Sequence, residues 1–361
     1  MPFWLPVVVF CERRTLGKFH YNVQTTATLL LLSMRLVSIL CLAIVIVATP
    51  IPASGQSTSA VLVGAGDIAS CDTDRAEATA KLLDKIAGTV FTAGDHAYPS
   101  GTEQQFSRCY HRFWGRHRER TRPSPGNHDY DTDQSAPYFK YFGANAGPTG
   151  RGYYSYKLGA WHIFSLNSNT NARYWGAAQE QWLVKELAAS NSNCTLAYWH
   201  HPRFSSSTTH GNQVHMQRLF KILHAHGTDV VIAGHDHIYE RFAPQNAEGR
   251  ADPRGIRQFV VGTGGEKLYG IGPARPNSEA RNAVDHGVLK LTLHPQGYDW
   301  EFVPVAGGKF RDSGSGKCLA PLSSKSALET KINFREVNPW KKCASSIRLC
   351  GTATLACGLT A

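Results

Sequence analysis

From Ala60 onward the chain alternates short apolar or β-branched runs with stretches whose apolar residues recur every three to four positions. Residues 60–64 and 89–93 read as strands on either side of a helix over 74–87, a β–α–β opening. The same grammar returns as a helix over 177–189, a strand over 195–199, a helix over 212–226 and a strand over 229–233. Residues 153–158 and 161–166 are strand-like. After Gly234 the chain turns mostly to β, with candidates at 258–261, 288–293 and 299–303. Alternating segments followed by β-rich ones imply the α/β class: a mixed sheet, or two stacked mixed β-sheets, flanked by helices. No internal repeat is present. The aromatic-rich residues 138–142 and 153–156 read as core rather than as a base-stacking platform. Gly262-Thr263-Gly264-Gly265 lacks the Lys-Ser/Thr ending and following helix of a nucleotide loop and reads as a turn near the site.

The 361 residues, 42% of them hydrophobic, suffice for one large domain or two small ones and do not describe a disordered or collagen-like chain. The formal charge of +11 raises nucleic-acid and membrane partners, but residues 1–33 carry +2 of it and 319–361 carry +4. The remaining middle is mildly basic, which suits a small anionic substrate and equally a solvated surface. Residues 34–56 place Arg35 before an apolar run to Val47, then small residues and prolines, the grammar of a secretory signal peptide. Cleavage before Gln56 and a start at Met34 are expected. The chain then divides into an N-terminal extension of doubtful origin (1–33), a signal peptide (34–55), a globular domain (56–318) and a poorly structured tail (319–361). Neither end is expected to be needed for folding. The alternative to secretion is a membrane anchor, since residues 29–47 are apolar apart from Arg35 and near the ~20 residues a bilayer requires. Nine cysteines fit an exported protein. Cys71 and Cys109 are the expected pair, with two free buried thiols as the alternative, and Cys194 has no obvious partner.

Five short motifs occur in order: Gly66-Asp67, Gly94-Asp95-His96-Ala97-Tyr98, Gly126-Asn127-His128-Asp129, His200 in Trp199-His200-His201-Pro202, and Gly234-His235-Asp236-His237. Each alone is weak, because Gly-Asp is usually a turn and a histidine pair is often merely solvated. Their placement is the stronger signal. Four follow a predicted strand or extended run, and ligands of open α/β sheets bind beyond the carboxyl ends of strands, where residues about 170 positions apart converge. A glycine ahead of Asp67, Asp95, Asn127 and His235 lets the backbone turn sharply.

Over residues 60–305 the series resembles the calcineurin-like metallophosphoesterase superfamily, and more narrowly its purple acid phosphatase-like branch. The resemblance implies a four-layer α/β/β/α sandwich. The wider superfamily places a metal-binding histidine two residues after its first acid, whereas Ala69 stands there in this chain; the narrower branch uses a tyrosine three residues after the bridging aspartate, and Tyr98 stands there. By position, Asp67, Tyr98 and His237 would bind a first metal, Asp95 would bridge, and Asn127, His200 and His235 would complete a second. Carboxylate, phenolate and imidazole suit Fe(III); amide, imidazoles and a shared carboxylate suit Fe(II), Zn or Mn. His128 would face the cavity, contacting phosphate or protonating the leaving group, with Asp129 orienting it. His210, ten residues beyond His200 and one more than the family's common spacing, resembles a second cavity histidine. His201 is expected to point away or pack, and His96 to line the entrance or lie on the surface.

These features imply a secreted dinuclear metal-dependent phosphoesterase that hydrolyses small phosphate monoesters by attack of metal-bound hydroxide, an acid phosphatase-like enzyme with no nucleic-acid partner. A phosphodiesterase or nucleotide-cleaving enzyme of the same superfamily is the nearest alternative. A catalytically silent protein that keeps the metals to bind phosphate is the alternative of a different class.

Overall fold

In chain order the strands are β1 (Ala60–Ala65), β2 (Ala69–Ser70), β3 (Thr89–Ala93), β4 (Ala97–Tyr98), β5 (Thr121–Ser124), β6 (Tyr154–Leu158), β7 (Trp161–Ser165) and β8 (Cys194–Tyr198). They continue as β9 (Val230–Ala233), β10 (Tyr239–Phe242), β11 (Arg257–Val261), β12 (Ser278–Asn282), β13 (Gly287–His294), β14 (Gly297–Pro304) and β15 (Asp312–Lys317). The longer helices are α1 (Arg75–Lys85), α2 (Ala136–Phe142), α3 (Ala177–Ala189) and α4 (Gln217–Ala225). This computed structural model describes residues 59–172 and 175–319; the extension 1–33, the signal-peptide segment 34–55 and the tail past residue 319 lie outside the described residues.

Two large sheets result, with strand orders β15-β14-β13-β1-β3-β5 and β12-β10-β11-β9-β8-β7-β6. In the first sheet the parallel strands β1-β3-β5 form one end and β13-β14-β15 continue it antiparallel; in the second the parallel β11-β9-β8-β7 form the centre, flanked by the antiparallel β10 and β6. Alternate side chains of a strand point to opposite faces, and the second sheet buries both. Val230 and Ile232 of β9, with Leu196 and Tyr198 of β8, join one core shared with Leu62, Val90 and Phe91 of the first sheet. Val231, Ala233 and Ala197 join a second core with Leu183 and Leu187 of α3 and Phe220 and Leu223 of α4. The sheets are therefore stacked, with α1 and the aromatic run of α2 packed into the first core. The four-layer expectation holds. Along β14, Tyr298, Trp300 and Phe302 are buried while Asp299 and Glu301 are exposed, the period-two pattern of a sheet with one wet face.

Predicted strand and helix positions agree with the structure to within a few residues at each end, except that the helix expected from 212 begins at Gln217 after a single tight turn. Asn212 does not join the helix because its side chain accepts the Ser205 N–H at 2.9 Å. Elements that were not anticipated include β5, which contains Arg122 and Pro123, β10 and the edge strand β12 beside it, β15, the two-residue strands β2 and β4, and helix α2. β15 pairs with β14 through residues 312–317. Cys71 pairs with Cys109 as expected. Cys194, left without a partner in the sequence, bonds to Cys318 at the end of β15.

Candidate metal centre

The parallel strands deliver the motifs to one place. Asp67 follows β1, Asp95 follows β3, Tyr98 ends β4, Asn127 follows β5, His200 follows β8, and His235 and His237 follow β9. Beyond the sheet the first two loops stay side by side, with Asp67, Ile68 and Ala69 donating their N–H groups to the carbonyls of Gly94, Asp95 and His96. Asp67, Asp95 and His235 have φ of 60°, 53° and 67°. That left-handed conformation costs a residue with a Cβ and is retained where surrounding contacts impose it, commonly at functional sites. Two glycines are required by close approach: a Cβ on Gly126 would collide with the Asp95 carboxylate, and one on Gly234 would lie 2.7 Å from Asp67 Oδ2.

The side chains converge in two groups. Around Tyr98, the hydroxyl lies 3.0 Å from Asp67 Oδ1, 3.1 Å from Asp95 Oδ2 and 3.1 Å from His237 Nε2. Around His200, Nε2 lies 3.0 Å from Asn127 Oδ1, 3.2 Å from Asp95 Oδ2 and 3.1 Å from His235 Nδ1. Asp95 Oδ2 belongs to both groups, the position of a bridge.

Hydrogen bonds on the far side of the rings fix which nitrogen faces inward. His200 Nδ1 donates to the Ala93 carbonyl and His237 Nδ1 to the Lys267 carbonyl, each at 2.7 Å. Both therefore turn Nε2 lone pairs toward the centre, the arrangement by which proteins hold metal-ligating histidines. Asp67 and Asp95 are buried, and among the described residues no lysine or arginine pairs with them. Three lone-pair atoms thus face one phenolic proton at Tyr98. Buried charge is retained when it is paired or coordinates a metal, so the donor set fits cations. Asp67, Asp95 and His200 also bring ligand atoms within 4.8 Å of one another.

The electrostatics of the protein without cations point the same way. Burial pushes the Asp95 carboxyl up, but the neighbouring His200, with His128 and His235 behind it, outweighs this and holds it well below the usual range. Burial lowers His200, and Asp95 more than compensates, raising it to about 9. His235 is pushed far down by burial and by His200, His201 and His210, and Tyr98 far up by burial and the two carboxylates. A phenol in that setting ionises only against a cation.

His128 is about one-third exposed, its Nδ1 faces the Pro99 carbonyl at 2.5 Å and Asp131 at 3.4 Å, and its Nε2 lies 3.9 Å from Asp95 Oδ2. Asp129 does not orient it, contrary to expectation. The Asp129 carboxylate is buried and accepts from the backbone N–H groups of Gly126, Asp95 and His96 and from His96 Nδ1 at 2.8 Å. It is spent on joining two loops. His96 is likewise neither at the entrance nor on the surface. It is fully buried among Phe106, Tyr110, Tyr138 and Phe142, bonded to Thr92 and Asp129. His210 is exposed at the mouth and stacks on His235 at 4.1 Å.

His201 does not point away. Its ring lies 4.3 Å from His235, and its nitrogen joins those of His200 and His235 within 4.8 Å. The chain leaves its extended path after β8, so strand alternation no longer governs where the side chain goes. Ser168 holds it, accepting the His201 N–H and bonding Nδ1 at 2.8 Å. Tyr269 was missed entirely. It stacks on His237 at 3.9 Å and 10°. The only signal was an aromatic four residues after Gly262–Gly265, a segment that does lie beside the site, with Gly264 and Glu266 donating to the carbonyls of Gly66 and Asp67.

Two stacked mixed sheets with carboxylates, imidazoles, an amide and a phenol gathered at their carboxyl ends define a metallophosphoesterase architecture. Residues 61–239 match the family model of calcineurin-like phosphoesterases, and the relatives this chain resembles are purple acid phosphatases. Purple acid phosphatase 15 of Arabidopsis thaliana is 30% identical over 173 residues, covering 43% of this chain and 32% of its own. Acid phosphatase type 7 of Homo sapiens is 27% identical over 206 residues, covering 47% of this chain and 46% of its own. The chain thus spans about a third to under half the length of these relatives. Among solved structures, purple acid phosphatase PPD1 from yellow lupin (Lupinus luteus) seeds superposes with a TM-score of 0.57 at 18% identity over 85% of this chain and 58% of that one. GAP50, the anchor in the inner membrane complex of Plasmodium, gives 0.59 at 14% identity over 75% of this chain and 93% of its own. At these identities the two structures speak to the fold alone.

Proposed function

We propose that the chain is a dinuclear metal-dependent phosphoesterase acting on small phosphate monoesters. Asp67, Tyr98 and His237 hold Fe(III), Asn127, His200 and His235 hold Fe(II), Zn or Mn, and Asp95 bridges. The observation that carries this reading is the pair of buried donor groups sharing Asp95 Oδ2, one oxygen-rich and containing a phenol, the other rich in imidazole. Two metal ions in such a site polarise a phosphoryl oxygen and lower the pKa of water to near neutrality. The chain's own contribution is orientation and proton handling. His128 keeps Nδ1 on the Pro99 carbonyl, so Nε2 is the atom turned to the cavity and available to the phosphate or the leaving oxygen. His210 is exposed and stacks on His235, from where it would contact the bound ester. Export through residues 34–55 is part of this proposal. Two disulfides suit an oxidising compartment, and among the described residues no helix is long and apolar enough to cross a membrane.

The test is one preparation assayed for metal content, visible absorbance and hydrolysis of p-nitrophenyl phosphate against bis-p-nitrophenyl phosphate. The expected result is two metals per chain, a tyrosinate absorption band and preference for the monoester. Asp95→Asn and His235→Ala should each abolish turnover, and His128→Ala should lower kcat about 10²–10⁴-fold with both metals retained. Preference for the diester would replace monoesterase by phosphodiesterase. Full metal loading with no turnover on a broad ester panel would favour a phosphate-binding protein. Unchanged turnover in Asp95→Asn would overturn the site.

A further inference from the structure

The segment after the Gly262–Gly265 turn holds His237 from three sides. The Lys267 carbonyl accepts from Nδ1 at 2.7 Å, the Tyr269 N–H donates to the His237 carbonyl at 3.0 Å, and the Tyr269 ring lies flat against the imidazole at 3.9 Å and 10°. The hydrogen bond from Nδ1 fixes the direction of Nε2 but leaves the ring free to rock about that line. A parallel ring in contact removes that freedom. Tyr269 also meets His210 edge-on at 5.6 Å, and His210 stacks on His235 at 4.1 Å. His235, His210, Tyr269 and His237 therefore form a continuous arc of rings over both halves of the centre. The loop itself is pinned: Gly270 accepts from Thr208, and Gly272 donates to Ser206, so residues 206–208 and 270–272 brace each other. The Tyr269 hydroxyl enters none of these contacts, so the ring face is the working part.

We propose that Tyr269 is a positioning residue for the metal centre: its ring locks the His237 imidazole in the orientation that binds the metal of the tyrosine half, and through His210 it ties that half to the other. The inference rests on the dinuclear reading above and adds to it a residue outside every ligand motif. Removing a partner that orients a metal ligand weakens metal binding about 10- to 100-fold. Because the contact is a stacked face, a second aromatic side chain should restore it and an aliphatic one should not.

The experiment compares Tyr269→Leu and Tyr269→Phe with the wild-type protein, following each metal by mass spectrometry during dialysis against a chelator, alongside the visible absorption band. Tyr269→Leu is expected to release the metal of the tyrosine half about 10- to 100-fold faster and to shift the band, whereas Tyr269→Phe should match wild type. Thermal melts of the metal-free proteins separate loosened metal from a damaged fold, and Tyr269→Met replaces Leu if that variant does not fold. Equal retention and an unchanged band in the aliphatic variant would overturn this inference alone. Equal loss in Phe and Leu variants would also overturn it, by moving the effect to the hydroxyl. A wild-type protein that holds neither metal would overturn the dinuclear reading, and this inference with it.

Discussion

The two halves of the centre solve the same problem with different materials. The half around Tyr98 is built of oxygen: two buried carboxylates, a phenol and a single imidazole that is hydrogen-bonded behind and stacked in front. The half around His200 is built of nitrogen: His200 and His235 at its heart, His201 and His210 against them, and the amide oxygen of Asn127. Anionic oxygen holds a harder, more highly charged cation; crowded neutral imidazole holds a softer divalent one. The crowding is visible in the electrostatics, since His200 and His201 help drive His235 toward its neutral, metal-binding form. Two unlike sites that share Asp95 are thus expected to load independently yet fail together when the shared part is lost.

The largest expected effect tests that shared part. Asp129 touches no metal in the proposed scheme, yet it fastens the Asp95 loop to the Gly126 turn that carries Asn127. Asp129→Ala should destabilise the fold by at least about 3 kcal/mol, because the buried N–H groups of Gly126, Asp95 and His96 and the His96 ring all lose their acceptor, at about 1–3 kcal/mol for each group left unsatisfied, and should empty both halves. Chemical denaturation together with metal analysis decides this. Loss from one half only would show that the loops are fastened separately. Next in size are paired single-half changes. Tyr98→Phe should weaken metal binding by about 100-fold or more in its own half, and Asn127→Ala should do the same in the other. Metal content per chain would read close to one in each variant. A fall to zero in either would make the centre a single unit rather than two.

The smallest effect uses the opposite end of β9, the strand that delivers His235. There Asp229 is buried and its carboxyl is pushed up to about 7, burial outweighing the hydrogen bonds from Thr195 and Leu319. In the unfolded chain it ionises near 3.8, so its contribution is complete below that pH and is lost as pH rises toward 7, the unfolded state having released its proton first. Asp229→Asn should therefore remove a decline in stability of up to a few kcal/mol between pH 4 and 7. Hydrolysis should not change. Denaturation midpoints across that range, set against kcat, check both parts; an altered kcat would tie the floor of the sheet to its metal-bearing end.

Sequence patterning gave a fuller account of the residues gathered at the strand ends than of those that support them. The strands that carry Asp67, Asp95, His200 and His235 are apolar and buried, so periodicity finds them. β5 was not legible, because a strand written Thr-Arg-Pro-Ser owes its conformation to pairing with β3 rather than to its own residues. His96 and Asp129 were misjudged for a related reason: neither lies in a strand, and partners distant in sequence, Phe142 for His96 and the loop before β4 for Asp129, decide the direction of the side chain. Tyr269 belongs to no motif and gains its role from a contact across 32 residues.

The bond between Cys194 and Cys318 closes a covalent ring whose ends are 124 residues apart. His200, His210, His235, His237 and Tyr269 all fall inside it, and Asp67, Asp95, Tyr98 and Asn127 all fall outside. A protease that cuts once within the ring would therefore release nothing. It would leave two polypeptides tied through sulfur, with the imidazole-bearing segment still covalently attached to the carboxylate-bearing one, and only a reductant would let them part.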